Sequence, residues 1–598
     1  MCRIAGIIGN KWSKAEVEDG LQRMCDAMQK GGPDGFGYQT LPELNLAFGH
    51  RRLSLIDLSE NGKQPMAYGK HLWITFNGEI YNYQELKADL ISKGFTFQNQ
   101  TDTEVILAGY EAYGTDFFKE LKGMFAFALV DQKARQTFLV RDEIGIKPLY
   151  YYSQSNELYF ASEVKAFKAL DPNWKENKDW PIYFLSFGFV PEPYTTLDGV
   201  YNLAKGHFLT WDHAKQQCKT QQFSGNYPNA EQTTQPEAIK QTETNLDKAV
   251  KRHLIADAPI GVFLSGGIDS SLLSIIANEQ NAQTITTVSI NFNEPEFSEQ
   301  SYQQIIAEQI GSEHISYTVT ANDFEQNIAQ IFQDMDQPSN DGINSWFVNK
   351  VAKENGLKAV LSGIGADELF GGYPSFKRHE LIKKLKKLPR FLLKSAKHLP
   401  NDKLKRISFL AYKNPIGEYL FLRGFYTPNV VGKLLGISEK QVTKLLSSYP
   451  THEELELLNA EDRIAWFECN IYMQNQLLKD TDYMSMAHGI EVRVPFLDQD
   501  VVTGAKQLPT NKRFNQQPKS LLIEAYRNLL PEAIWNRPKK GFTFPFQHWF
   551  GSYQPMLNTN HYQNNPQALR LLKQFKDNKL HWSKLFAVYQ VFYHARQK

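Results

Sequence analysis

Residues 260–271 read Ile260-Gly261-Val262-Phe263-Leu264-Ser265-Gly266-Gly267-Ile268-Asp269-Ser270-Ser271. Ile260–Leu264 is an apolar, strand-like run, Ser265–Gly267 is a turn, and Ser270–Asn278 has a helical pattern. A strand, a glycine turn and a helix start in that order form an anion cradle. Glycines let backbone N–H groups approach phosphate oxygens, and the helix N-terminus favours negative charge. Ser265, Ser270 and Ser271 add donors, and Asp269 offers oxygen to Mg²⁺. A Gly-Gly turn alone would be an ordinary loop; the flanking strand and helix make the signal specific. No Gly-x4-Gly-Lys-Ser/Thr run occurs, which argues against a Walker-type transferase of the γ-phosphate.

Downstream the alternation continues. Ile285–Phe292, His314–Val319 and Lys358–Leu361 read as strands, with helices at Gln300–Ile310 and near Trp346–Glu354. That order predicts a parallel, doubly wound sheet. Ser362-Gly363-Ile364-Gly365-Ala366-Asp367-Glu368-Leu369-Phe370-Gly371-Gly372-Tyr373 follows the last of these strands. Loops leaving adjacent parallel strands converge at their C-terminal edge, so Asp367 is expected to face Asp269 across Mg²⁺ and pyrophosphate. The remainder, to Lys598, reads as mostly helical.

Upstream, short strands are broken by Gly, Asn and Asp: Arg3–Ile8, Leu44–Gly49, Leu72–Phe76, Met124–Leu129, Gln136–Arg141 and Leu149–Tyr152. Helical patterns cover Lys14–Gln29 and Tyr83–Lys93. Many strands and few helices predict a layered α/β sandwich. Cys218–Asn245 is polar and reads as a linker. The expected division is a first domain at 2–212, a linker at 213–245 and a second domain at 246–598.

The 598 residues carry 66 Lys+Arg and 65 Asp+Glu, with 42% hydrophobic and 22% charged residues. That balance excludes a globally basic nucleic-acid binder and a strongly acidic chain. No apolar run is long enough for a membrane span, and the N-terminus lacks a secretory pattern. The four cysteines form no metal knuckle or disulfide framework, so a reducing cytoplasm is expected. One segment departs from neutrality: residues 377–406 hold twelve Lys or Arg against Glu380 and Asp402. Leu381, Ile382, Leu385 and Leu388 recur there at helical spacing. A solvated basic helix face and a surface for peripheral docking on anionic lipid or polyanion are both open readings.

Cys2 follows the initiator Met. With Met1 removed it would carry a thiol and a free α-amine, so nucleophile and base would share one residue. Two further clusters suit the same chemistry. Asn77-Gly78-Glu79 follows the strand Leu72–Phe76; an Asn side chain beside a Gly N–H can hold an oxyanion, and Glu79 can hold an ammonium group. His50-Arg51-Arg52-Leu53-Ser54 offers guanidinium groups to a carboxylate, and Asp102 is another carboxylate for an amino group. Singly, these are equally a turn asparagine, a surface arginine and a helix cap. Jointly they describe a glutaminase pocket.

Met1-Cys2, Gly32-Pro33-Asp34, Arg52-Leu53-Ser54, Asn77–Asn82 and Arg141-Asp142 resemble the glutaminase domain of glutamine-hydrolysing asparagine synthetases. Ser265–Ser271 resembles the pyrophosphatase-type ATP loop. Resembling segments run from residue 2 to about residue 545, nearly the whole chain. The resemblance implies an N-terminal-nucleophile αββα sandwich, then a doubly wound pyrophosphatase-loop domain with a helical C-terminal part. It implies ATP and Mg²⁺, and cleavage of ATP to AMP and pyrophosphate. It assigns Cys2 as nucleophile, Asn77 and Gly78 as the oxyanion hole, and Lys519 to the pyrophosphate or tetrahedral intermediate. It assigns glutamine to Arg52, Leu53, Ser54, Leu55, Ile56, Asn77, Gly78, Glu79 and Asp102. ATP falls to Leu264, Ser265, Gly266, Gly267, Asp269, Ser270, Ser271, Ile290, Ser362 and Gly363, and metal to Asp269 and Asp367. The run Arg493–Asp498 is family-like and expected to be structural. A passage for ammonia between the sites is also implied.

Two departures stand out. The family's His-Arg before Gly-Pro-Asp is Lys30-Gly31 here, which is expected to loosen the wall around the thiol. Its acidic residue after Ser-Gly is Ile364, and Asp336–Asn344 lacks the family's threonine and arginine pattern; Asn344 can hydrogen-bond a carboxylate but not neutralise it. Aspartate is therefore the default acceptor, and a hexuronic acid of a surface polysaccharide the competing one. A non-catalytic regulator that senses nucleotide or glutamine is the reading from another class. The expected partners are glutamine, ATP and a carboxylic acid; no nucleic acid is expected, and a homodimer is left open.

Overall fold

The computed structural model describes residues 2–225, 233–281, 284–451, 454–514, 517–538 and 540–592. The first domain has twelve strands: β1 (Arg3–Ile8), β2 (Gly35–Leu41), β3 (Leu46–Arg52), β4 (Met66–Tyr68), β5 (Leu72–Ile80), β6 (Gly123–Asp131), β7 (Gln136–Arg141), β8 (Tyr150–Gln154), β9 (Glu157–Ala161), β10 (Val200–Asn202), β11 (His207–Asp212) and β12 (Gln217–Gln222). They form two antiparallel six-stranded sheets, ordered β10-β8-β9-β1-β3-β2 and β12-β11-β7-β6-β5-β4.

Side-chain alternation assigns the layers. Ala5 and Ile7 of β1 pack with Leu21 and Met24 of the helix Lys14–Ala27, while Ile4 and Ile8 face the other sheet and meet Ala126, Ala128 and Val130 of β6. On the far side, Leu72, Ile74 and Phe76 of β5 pack with Val105, Ile106 and Leu107 of the helix Asp102–Tyr113. The result is an αββα sandwich, as expected. The same parity carries Cys2 and Asn77 to the inter-sheet space at one end of it.

The second domain holds β13 (Ile260–Phe263), β14 (Thr286–Asn291), β15 (Glu313–Thr318), β16 (Ala359–Leu361) and β17 (Glu491–Arg493), all parallel, in the order β15-β14-β13-β16-β17. The chain builds from β13 towards β15, then crosses back to β16. The crevice between β13 and β16 is thus the topological switch point, where such sheets bind ligands.

The expected linker is corrected. Within 213–245, Gln217–Gln222 is β12, paired along its length with β11, and the helix Gln235–His253 begins. Polar composition misled because β12 is an exposed edge strand, polar on both faces. Residues 226–232 of that stretch lie outside the described residues. The basic segment is also not one helix. It breaks into His379–Leu385, Arg390–Ser395 and Asp402–Lys405, with Leu388 and Pro389 between the first two. Among the described residues no helix is long and apolar enough to cross a membrane.

Polar contacts join the domains, those of Arg3 and Asp336 buried and those of Lys30 and Lys122 partly exposed. Arg3 meets Asp482, Lys30 meets Asp334, Lys122 meets Asp500, and the backbone N–H groups of Val164 and Lys165 donate to Asp336.

Candidate active sites

The backbone N–H of Cys2 donates to Asn77 Oδ1 at 3.1 Å, and its Sγ lies 3.9 Å from Leu53 O. With Oδ1 engaged, Asn77 Nδ2 is buried without a protein partner. An unsatisfied buried donor costs on the order of 1–3 kcal/mol, so the position favours an arriving acceptor; a tetrahedral oxyanion is one. Gly78 has φ +154°, and a Cβ there would stand 2.1 Å from Met124 O. Only glycine lets β5 lie this close to β6.

Cys2, Arg52, Leu53, Ser54, Leu55, Ile56, Gly78, Glu79 and Asp102 line one small cavity. Gly62, Gln64, Phe76, Thr101 and Thr103 complete it and were not singled out as site residues in the sequence. Arg52 donates to the Ser59 and Asp57 carbonyls. Asp102 heads its helix and accepts from Ile80 N at 2.9 Å; burial lifts its carboxyl to about 6. Burial, then the nearby Glu491, pushes Glu79 well above the usual carboxylate range, and Arg493, 3.6 Å away, opposes this. Burial also lifts the Cys2 thiol.

The wall beside Gly31 is not loosened. A Cβ at Gly31 would stand 2.9 Å from the Arg3 side chain. The space is filled by Arg3, which bonds Glu163 at 2.6 Å and Asp482 at 2.8 Å.

In the second domain the two glycine loops meet as expected. Leu264, Ser265, Asp269, Ser270, Ile290, Ser362, Gly363 and Asp367 line a cavity of about 420 Å³ at the β13–β16 crevice. Gly266 and Gly267 form the turn itself, Gly267 capping the helix Ile268–Gln280. Ser271 is fully buried in the first turn of that helix and, like Gly266 and Gly267, does not itself line the cavity. Lys519 Nζ bridges Asp269 at 2.6 Å and Asp367 at 2.5 Å. The two carboxylates hold its ammonium charged against burial. A Cβ at Gly372 would stand 1.7 Å from Asp367 Oδ1, so the second loop shapes a cradle around that carboxylate.

The wall away from the loops holds groups that motif reading missed. Asp341 and Asp480 both face the cavity. Burial, then Asp341, lifts Asp480 to about 8, and Ser339 Oγ donates to it at 2.6 Å. Burial also raises Asp341. Within the second loop itself, Glu368, lifted to about 7 by burial and Asp367, accepts from Tyr373 OH at 2.6 Å. Ile364 lines the cavity where an acid was expected. A second chamber of about 420 Å³ shares Asp341, Asn344, Tyr472, Phe542 and Thr543 with the first. Its walls are largely aromatic, including Phe187 and Phe189 from the first domain and Phe544 and Trp582. Arg493 is structural as expected: it bonds Glu491 at 2.6 Å and the carbonyls of His253 and Ile255.

A buried cysteine beside an unsatisfied amide donor, coupled to a nucleotide-type crevice, is the composition of a glutamine-dependent amidotransferase joined to a carbon–nitrogen ligase. A glutamine amidotransferase domain model matches residues 1–224, and an asparagine synthase model matches residues 241–581. The chain belongs to the asparagine synthase family. Asparagine synthetase [glutamine-hydrolyzing] 1 of Bacillus subtilis is 33% identical, covering 92% of this chain and 88% of its own. A putative asparagine synthetase [glutamine-hydrolyzing] of Mycobacterium tuberculosis is 31% identical, covering 90% and 85%. Amidase chry2 of Gibberella zeae is 26% identical, covering 90% and 86%.

Proposed function

We propose that this enzyme makes asparagine from aspartate, glutamine, ATP and water, releasing glutamate, AMP and pyrophosphate. The observation that carries the reading is Lys519 bridging Asp269 and Asp367 at the switch point, on the same chain as the Cys2–Asn77 pair. In the first domain, with Met1 removed, the Cys2 α-amine takes the thiol proton as the sulfur attacks the glutamine side-chain amide, and passes it to the departing nitrogen. The oxyanion takes hydrogen bonds from Asn77 Nδ2 and the Gly78 N–H, ammonia leaves, and water cleaves the thioester to glutamate. Asp102 holds the glutamine ammonium with Glu79 beside it, and Arg52 holds its carboxylate.

In the second domain the acceptor carboxylate attacks the α-phosphorus and pyrophosphate leaves. The acyl-adenylate is needed because a carboxylate oxygen is a poor leaving group. Ammonia attacks the acyl carbon and AMP leaves. Lys519 follows the charge that builds on the pyrophosphate. Asp269 and Asp367 fit Mg²⁺, which binds through one or two carboxylates plus phosphate oxygens and would neutralise phosphate charge there.

The test is incubation of the purified chain with glutamine, Mg·ATP and aspartate. Asparagine, glutamate, AMP and pyrophosphate should appear in equal amounts. Cys2→Ala should abolish glutamate release and keep synthesis from added ammonia. ADP as the product, or glutamine hydrolysis without Cys2, would overturn the reading; no Cys2-dependent hydrolysis at all would favour a regulator.

A second reading is favoured by the aromatic chamber. Asn340 lines it with both amide atoms buried and unpartnered in the protein. Aromatic faces and a free amide suit a sugar ring, and Ile364 places an apolar side chain in the adjoining cavity where an acid was expected. A hexuronic acid that drives AMP formation faster than aspartate would establish this acceptor.

A further inference from the structure

The segment 377–406 is used by neither site. Ile382, Leu393 and Ala396 are buried and anchor it, and Arg390 donates to Ala411 O at 2.7 Å. Around these anchors Leu381, Leu388, Phe391, Leu392, Leu399 and Leu404 are each at least 37% exposed, Phe391 at 69%. A stretch of 24 residues thus holds six of the fourteen exposed large apolar side chains among the described residues. The clustering is what separates it from the scattered apolar exposure of any soluble surface.

Charge is interleaved with this apolar surface. Lys384, Lys387 and Lys394 form no ion pair among the described residues, whereas Lys386 and Lys397 are held by Glu418 and Glu439. Leu388, Phe391 and Leu392 project within five residues of chain, flanked by Lys387, Arg390 and Lys394. Apolar side chains set among unpaired lysines match the boundary of an anionic bilayer, where headgroup phosphate and acyl chain lie within one side-chain length. A second copy of the chain would bring two faces of the same sign together. A nucleic acid would engage the lysines and leave the leucines in water.

We propose that the face formed by residues 381–404 docks on anionic membrane surfaces, with Leu388, Phe391 and Leu392 entering the interface and Lys384, Lys387 and Lys394 meeting lipid headgroups. That face begins eight residues after Tyr373 of the nucleotide cavity wall. Docking would therefore hold that cavity near the membrane.

The test is co-sedimentation of the full chain with vesicles of phosphatidylcholine, with and without phosphatidylserine, at low and high salt. Binding is expected only to the anionic vesicles, weakening as salt screens the lysines. Lys387→Gln should weaken it about fivefold, the effect of one basic residue near such a surface. Phe391→Ser should weaken it at unchanged salt dependence, with Cys2-dependent glutamate release retained as proof of folding. No vesicle binding, or equal binding to neutral vesicles, would overturn the proposal. So would self-association abolished by Phe391→Ser, or polyanion binding that Phe391→Ser leaves intact in place of lipid binding.

Discussion

Arg3, the residue after Cys2, donates from Nη2 to Asp482 across the domain boundary at 2.8 Å, with both side chains buried. Asp482 lies on the helix Lys479–Met486, which also places Asp480 in the cavity wall of the second domain. The chain end that carries the thiol is thereby fixed to an element of the synthetase site. Breaking a buried pair leaves an uncompensated charge, at a cost of about 3–5 kcal/mol. Glu163 remains as a partner, so Asp482→Ala should cost about 3 kcal/mol, seen as a lower denaturation midpoint. The double variant Arg3→Met, Asp482→Leu should be more stable than either single change. Equal loss in all three would mean that the pair is not the source of the effect.

Gly78 separates the two activities. An alanine Cβ would collide with Met124 O, and overpacking of this kind costs about 1–3 kcal/mol. The strand must shift, moving the Gly78 N–H from the oxyanion. Gly78→Ala should lower glutamate release by about a hundredfold or more while ammonia-supported AMP formation persists. Parallel loss of both would point to general unfolding.

Much of this was legible because local chemistry marked it. β1, β7 and the helix Gln300–Ile310 follow their expected limits, since alternation or helical period was uninterrupted. The site residues beside Gly78 and Gly266 were legible because close backbone approach demands glycine at fixed spacing. β17 was missed: three residues long, it pairs with β16 across more than a hundred residues of chain. The helix Asp102–Tyr113 was missed because it is buried almost all round and shows no polar face. Asp341 and Asp480 come from distant elements, and only folding brings them to one wall. The exposed β12 read as linker for the converse reason, having no apolar face to mark it.

Lys519 is buried between Asp269 and Asp367, and its own backbone is left-handed at φ +59°. A position that strained is held by what the side chain does. Lys519→Gln removes the positive charge and leaves two facing carboxylates. Pyrophosphate release should fall by about a hundredfold to a thousandfold, with Cys2-dependent glutamate release intact. Undiminished pyrophosphate release would remove Lys519 from the reaction.

If Asp102 holds the glutamine ammonium as proposed, glutamine binding should be sensitive to mild acid. Its carboxyl is lifted to about 6, and only the ionised form attracts the glutamine ammonium. KM for glutamine should therefore rise as pH falls through 6, by up to about tenfold per unit. Asp102→Asn still accepts from Ile80 N but lacks the charge. It should raise KM about tenfold or more at neutral pH and remove the inflection. The check is glutamate release measured from pH 5 to 8; an inflection that survives Asp102→Asn belongs to another group.

Asp480 supplies the sharpest discrimination between acceptors. Its carboxyl is lifted to about 8 from an ordinary 3.8, so at neutral pH the folded chain holds a proton that the unfolded chain has released. Stability then falls as pH rises between those values, with a slope approaching 1.4 kcal/mol per unit, and levels off above about 8. Asp480→Asn should flatten that slope in denaturation midpoints measured across the range. An acceptor bearing an ammonium group changes the balance, because a nearby positive charge favours the carboxylate. Aspartate should thus drive out up to one proton on binding at neutral pH, read by calorimetry in two buffers of different ionisation heat. A hexuronic acid, with no ammonium, should release none. Proton release that persists in Asp480→Asn would place the titrating group elsewhere, with Asp341 and Glu368 the next to be changed.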